Sequence, residues 1–209
     1  MPLRPSSLIR TAAALLALGL TAMPGQAQAP KLPPEFHARV FMAGFEQPLE
    51  LRQAGLKRRV DVATGGVVQS FISDRTRGAL VVMTAAGRRR VAFLFPLSTS
   101  EANAPVPIEL GAFSNARMTR LGGSRVAGRP CTLNRYVGYL GRNGTACISA
   151  DGLVLQLVPD GRRSPLYQVL SITYAKQDAR VFTPPPDFQV SALPGTGGIS
   201  VRPAAAVTR

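Results

Sequence analysis

His37 is the single histidine of the 209-residue chain, so any chemistry that needs an imidazole must pass through it. A Ser-His-Asp triad would have to be built on this residue, and no Gly-x-Ser-x-Gly turn exists to present the serine. A metal site would need partner ligands at suitable spacing, and no cysteine or carboxylate cluster surrounds it. The eleven carboxylates are scattered, and Asp151, Asp160 and Asp187 stand where turns favour them. Nothing nominates an acid–base pair. The expectation is a protein that is not an enzyme and uses no cofactor and no metal, with His37 as an ordinary strand-edge residue.

The two cysteines, Cys131 and Cys147, lie 16 positions apart on two runs that read as adjacent strands. There is no C-x-x-C and no histidine nearby, so a structural bridge is favoured over a redox or nucleophilic thiol. Such a bridge would stabilise the fold by roughly 3 kcal/mol through denatured-state entropy. The basic clusters are Lys57-Arg58-Arg59, Arg88-Arg89-Arg90 and Arg162-Arg163. Alternation along a strand sends the middle of a triplet to the opposite side, so none of them is one continuous patch. No aromatic residue is interleaved for base stacking, and nucleic acid is not an expected partner. A charged edge that resists strand-to-strand aggregation is the simpler account.

These residues must be positioned by strands. Residues 37–43, 49–52, 57–63, 67–73, 79–84 and 88–95 form short runs with period-two features, each closed by a turn signal. Connections this short fit an antiparallel meander and exclude helical crossovers. Residues 96–114, with Pro105 and Pro107, break the rhythm and read as a short helix or a lid-like loop. Strand character resumes at 116–121, 129–139, 144–149, 153–158 and 166–174, with Asp151-Gly152 and Asp160-Gly161 as turns. Asn143-Gly144 reads first as a hairpin turn, although Asn143-Gly144-Thr145 also fits a glycosylation sequon. Pro184-Pro185-Pro186 cannot continue a ladder. The Leu193-Pro194-Gly195-Thr196-Gly197 pentapeptide resembles a sorting signal but lacks the apolar segment that should follow it.

The N-terminus reads as a secretory signal. Arg4 and Arg10 precede the apolar run 12–20, Pro24-Gly25 breaks it, and Ala27 closes a small-residue cleavage pattern. The alternative, a retained anchor, would need about 20 apolar residues. The expected organisation is a signal peptide at 1–27, one β-rich domain at 28–192, and a disordered Gly/Pro/Ala-rich tail at 193–209. Export places the mature chain in the periplasm or the medium, where a disulfide persists. The net charge of +14 falls to +12 without Arg4 and Arg10, which are the only charges before residue 30. That excess favours anionic partners, and equally serves solubility.

Three segments carry a family resemblance. They are Val126-Ala127-Gly128-Arg129-Pro130-Cys131-Thr132, the run from Cys147 through Asp151-Gly152 to Leu155, and Gln177-Asp178 through Phe182, Pro184 and Phe188. Together they resemble an uncharacterised family of exported bacterial domains, itself similar to the periplasmic lipoprotein-carrier (LolA/LolB-like) superfamily. The resemblance implies a mainly β fold: a curled antiparallel sheet, an unclosed half-barrel, here with little helix. It also implies a site for a lipid, another hydrophobic ligand or a lipidated protein rather than an active site. Alternation nominates Phe41, Phe71, Val82, Phe93, Phe95, Leu155 and Ile172 as ligand-binding residues, unless they simply form the core. The other reading is a basic module that docks on anionic envelope surfaces.

Overall fold

The computed structural model describes residues 34–97 and 110–192. The expected signal peptide and C-terminal tail lie outside the described residues, as does most of the 96–114 break. The chain divides into Met1–Lys31, likewise outside them, and Leu32–Arg209, which carries the fold.

Six strands form a first meander: β1 (Phe36–Met42), β2 (Leu49–Ala54), β3 (Lys57–Thr64), β4 (Val67–Asp74), β5 (Ala79–Ala86) and β6 (Arg89–Pro96). Five more form a second: β7 (Arg117–Val126), β8 (Arg129–Tyr139), β9 (Arg142–Ile148), β10 (Val154–Pro159) and β11 (Tyr167–Tyr174). Antiparallel pairing of β1 with β11 fuses them into one sheet. A short strand, β12 (Gln189–Ala192), completes the order β12-β6-β5-β4-β3-β2-β1-β11-β10-β9-β8-β7. The fold is mainly β, an antiparallel-dominated sheet with two open edges. Its helical content among the described residues is two 3-10 turns, η1 (Leu110–Phe113) and η2 (Ala179–Phe182). The sheet curls: the Arg129 guanidinium of β8 sits 4.9 Å from the ring centroid of Tyr174 on β11, three strands away.

Two local expectations are corrected. The strand at Tyr167–Tyr174 is not the last: Pro184-Pro185-Pro186 stand outside any strand, as expected, but β12 follows them and pairs in parallel with β6. A parallel pair needs a long connection, and here almost the whole second meander supplies it. Asn143-Gly144 is not the hairpin turn. It lies within β9, and Leu140-Gly141, both at positive φ, make the turn. Gly144 answers a different need, since a Cβ there would collide with the Val158 carbonyl oxygen and the Tyr136 ring.

Sheet register sets two faces. On the first, Ile172, Ala38, Leu51, Val60, Phe71, Val82 and Phe93 stand directly opposite one another from β11 to β6. This face is buried from β11 to β3. From β4 to β6 the buried face is the other one. Ile72, Val81, Met83, Ala92 and Leu94 pack there beneath Phe182, Phe188 and Val190 of the returning C-terminal segment. Arg59 fixes that segment, donating to the Val181 carbonyl at 2.9 Å while its Nε bonds Asp61 at 2.8 Å.

Cys131 and Cys147 are bonded, with Cα atoms 5.5 Å apart across β8 and β9. Both are buried in the larger core. Because the bridge closes a 16-residue separation, its loss should cost about 3 kcal/mol. Urea denaturation with and without reductant, and of the Cys131→Ala/Cys147→Ala double variant, checks this; equal midpoints would show a bridge without consequence.

Candidate functional site

The row on the first face changes character along its length. Ala38, Leu51 and Val60 are core residues. Phe71 and Val82 are half-buried, and Phe93 is 38% exposed. Directly opposed side chains in such a ladder touch one another, so these three form one apolar strip. A second row runs beside it on the same face: Phe36, Gln53, Arg58, Ser73, Leu80 and Phe95. Phe95 and Leu80 are half-buried and widen the strip.

Four of the nominated lining residues, Phe71, Val82, Phe93 and Ile172, therefore share one row, and Phe95 lies in its neighbour. Leu155 does not join them as a surface residue: it is wholly buried in the larger core. Phe41 stands opposite Gln168, on the other face from Val40 and Met42, and is not part of the strip. A small apolar pocket bordered by Phe36, Leu51, Leu155, Tyr167 and Ile172 opens to solvent and measures about 10 Å³, room for about one water. The strip on β4 to β6 is accessible apolar surface contributed by neighbouring strands; Leu56, Val68, Leu121, Leu140 and Leu170 are exposed elsewhere.

The second row contains what the sequence reading missed. Gln53, Arg58 and Ser73 are 1%, 7% and 8% exposed, and register places them side by side on β2, β3 and β4. Neither the Nε2 nor the Oε1 of Gln53 has a hydrogen-bond partner. The three residues line a small cleft with Gly55, Leu56 and Arg75, about 10 Å³ in volume and open to solvent. Arg58 also acts on Tyr167: burial pushes that phenol's pKa up, and the guanidinium opposes the shift. Alternation could have flagged the cluster, since Gln53 and Arg58 fall in phase with Leu51 and Val60.

The remaining polar groups are engaged in structure. His37 Nε2 lies 2.5 Å from Glu50 Oε2, with Arg39 on the other oxygen at 3.3 Å. Its cross-strand neighbours are Arg52 and Thr173, and neither cysteine is near it. Arg90 pairs with Asp187 and so ties β6 to the approach of β12. Hydrogen bonds from Ser149 and Tyr174 hold the Asp151 carboxyl below its usual range, against a desolvation that raises it. Among the described residues no group of His, Cys, Asp and Glu could hold a metal ion. No described helix is long and apolar enough to cross a membrane. At the β7 edge the charge is one-sided. Between residues 110 and 150 there are six arginines, Arg117, Arg120, Arg125, Arg129, Arg135 and Arg142, and no carboxylate. Arg135 reaches outside that stretch to pair with Asp160 at 2.5 Å.

No protein-family model matches the chain, and no curated protein matches it. Among solved structures it is similar to the crystal structure of MucB, at 13% identity and a TM-score of 0.38 over 74% of this chain and 58% of that one. Similarity extends to the crystal structure of MucB in complex with MucA(peri), at 16% identity, a TM-score of 0.36 and coverage of 77% and 57%. The complex structure of Pseudomonas aeruginosa MucA/MucB gives 14% identity, a TM-score of 0.37 and coverage of 77% and 59%. The chain thus spans less than two thirds of the length of each of these structures.

A buried amide with no partner is a cost to folding, on the order of 1–3 kcal/mol. Gln53→Leu, which keeps the volume and removes the polar atoms, should raise stability by about that amount. The midpoint of urea unfolding checks it, and a lowered midpoint would show that the amide is satisfied in solution.

Proposed function

We propose that the protein is a non-catalytic binding protein of the periplasm or the extracellular medium that holds the acyl chain of a lipid on the first face of its curled sheet. The observation that carries this reading is the Phe71–Val82–Phe93 ladder, with Leu80 and Phe95 beside it. It continues the register of the core yet stays half open to solvent. A contiguous apolar strip framed by polar residues is a binding surface more often than an accident of folding. An acyl chain suits it because attraction there is non-directional and scales with the apolar area covered.

Phe93→Ser should weaken binding of a fluorescent fatty acid about tenfold, the equivalent of about 1.4 kcal/mol of lost apolar contact. The melting temperature should fall less than for a core replacement such as Leu51→Ala, because Phe93 is 38% exposed and Leu51 is fully buried. An unchanged affinity, or no binding by the unaltered protein, would end the reading.

A second reading rests on the unbalanced arginines of β7 to β9, which would draw the chain to anionic envelope surfaces. It predicts binding to phosphatidylglycerol vesicles that weakens steeply as salt rises, since exposed charges are screened over about 8 Å at physiological ionic strength. Co-sedimentation across a salt series tests it, and salt-indifferent binding would remove it.

A further inference from the structure

We infer that Gln53, Arg58 and Ser73 form a carboxylate-binding site at the polar end of the apolar strip, so that the ligand is a single-chain fatty acid. The inference rests on the acyl-chain reading and names the head group that goes with it.

The row Gln53–Arg58–Ser73–Leu80–Phe95 is amphipathic along its length. Its first three members can each donate to an anion: an amide N–H₂, a guanidinium and a hydroxyl. Its last two are apolar and lie beside Phe71, Val82 and Phe93. From β2 to β6 the row crosses four strand spacings, about 19 Å on a flat sheet. A ligand with an anionic head and one apolar tail matches that order of side chains.

The head group is constrained by size and sign. The cleft holds about 10 Å³, enough for one carboxylate oxygen to enter while the other stays at its mouth. A cation is opposed by Arg58 within the cleft and by Arg75 among its lining residues. Gln53 supplies the independent indication. It is an inward-facing amide, 1% exposed, whose Nε2 donor is unmatched by the protein and can donate to a carboxylate oxygen. Arg58 has five N–H donors, so its existing interactions leave capacity for an incoming oxygen. Polar groups placed this sparingly at the end of an apolar surface are how binding sites fix a ligand's orientation.

The test displaces a fluorescent fatty-acid analogue from the full chain with dodecanoate, 1-dodecanol or dodecyltrimethylammonium, which share one tail length. Dodecanoate should bind at least tenfold more tightly than the alcohol, and the ammonium most weakly. Gln53→Leu and Arg58→Met should each bring dodecanoate down to the level of the alcohol while leaving the alcohol unchanged, with melting curves confirming that both variants fold. Should Arg58→Met fail to fold, the head-group comparison on the unaltered protein still decides. Equal affinity for acid and alcohol overturns the carboxylate site and leaves the acyl-chain reading standing. Binding of none of the three overturns both.

Discussion

Pairing between Phe36–Met42 and Tyr167–Tyr174 makes one sheet from two meanders. Every other ladder except β12 with β6 joins neighbours in sequence and could form locally. The β1–β11 seam joins residues more than a hundred positions apart, so its closure carries the chain-entropy cost of the fold. One face of it is buried, with Phe36, Ala38, Val40, Tyr167 and Val169 all in the larger core. Slippage by one residue would turn those side chains to the wrong face. The seam holds its register across a bulge, where pairing passes from Ser171 to Val169 and leaves Leu170 exposed.

A single curled sheet offers two faces, and among the described residues only the 3-10 turns η1 and η2 are helical. The buried face changes between β3 and β4. Up to β3 the inside of the curl is the core; beyond it, η2 and Phe188 return to cover the outside. Arg59 stands at the changeover. Its carboxylate partner Asp61 and its bond to the Val181 carbonyl are what a covering segment with few apolar residues needs in order to stay seated. The changeover leaves the first face of β4 to β6 with half-exposed Phe71, Val82 and Phe93. The open apolar strip is a direct consequence of how the sheet is covered.

Much of this is legible in the sequence because antiparallel ladders between consecutive strands are local. Alternation in Lys57–Thr64 and Tyr167–Tyr174, and turn residues such as Gly87 and Gly161, place most of these strands within a residue or two of where they lie, although β7, expected to end at 121, runs on to Val126. The bridge between Cys131 and Cys147 is legible for the same reason, since the two cysteines sit on consecutive strands. What is not legible is non-local. Nothing near Gln189–Ala192 indicates that β6, a hundred residues upstream, is its partner. Whether Phe41 or Phe71 faces the strip depends on register across several strands, while Leu155 is buried by the tight curl of β8 to β11. Leu140-Gly141 displaces Asn143-Gly144 as the turn because Gly144 is needed where Tyr136 presses against β9, a tertiary demand that local turn preference cannot reveal.

The polar cluster follows from the same geometry. Gln53, Arg58 and Ser73 occupy first-face positions on β2, β3 and β4, spanning the point where that face passes from buried to open. Deeper in the core a guanidinium would lack water and acceptors; on β5 or β6 it would be an ordinary surface charge. At the changeover it is desolvated by its neighbours while the cleft beside it still opens to solvent. An apolar strip alone attracts any tail in any orientation, since its pull scales only with area. Charge and an amide at one end make the surface directional, and the unmatched amide of Gln53 sets a stability cost against that directionality.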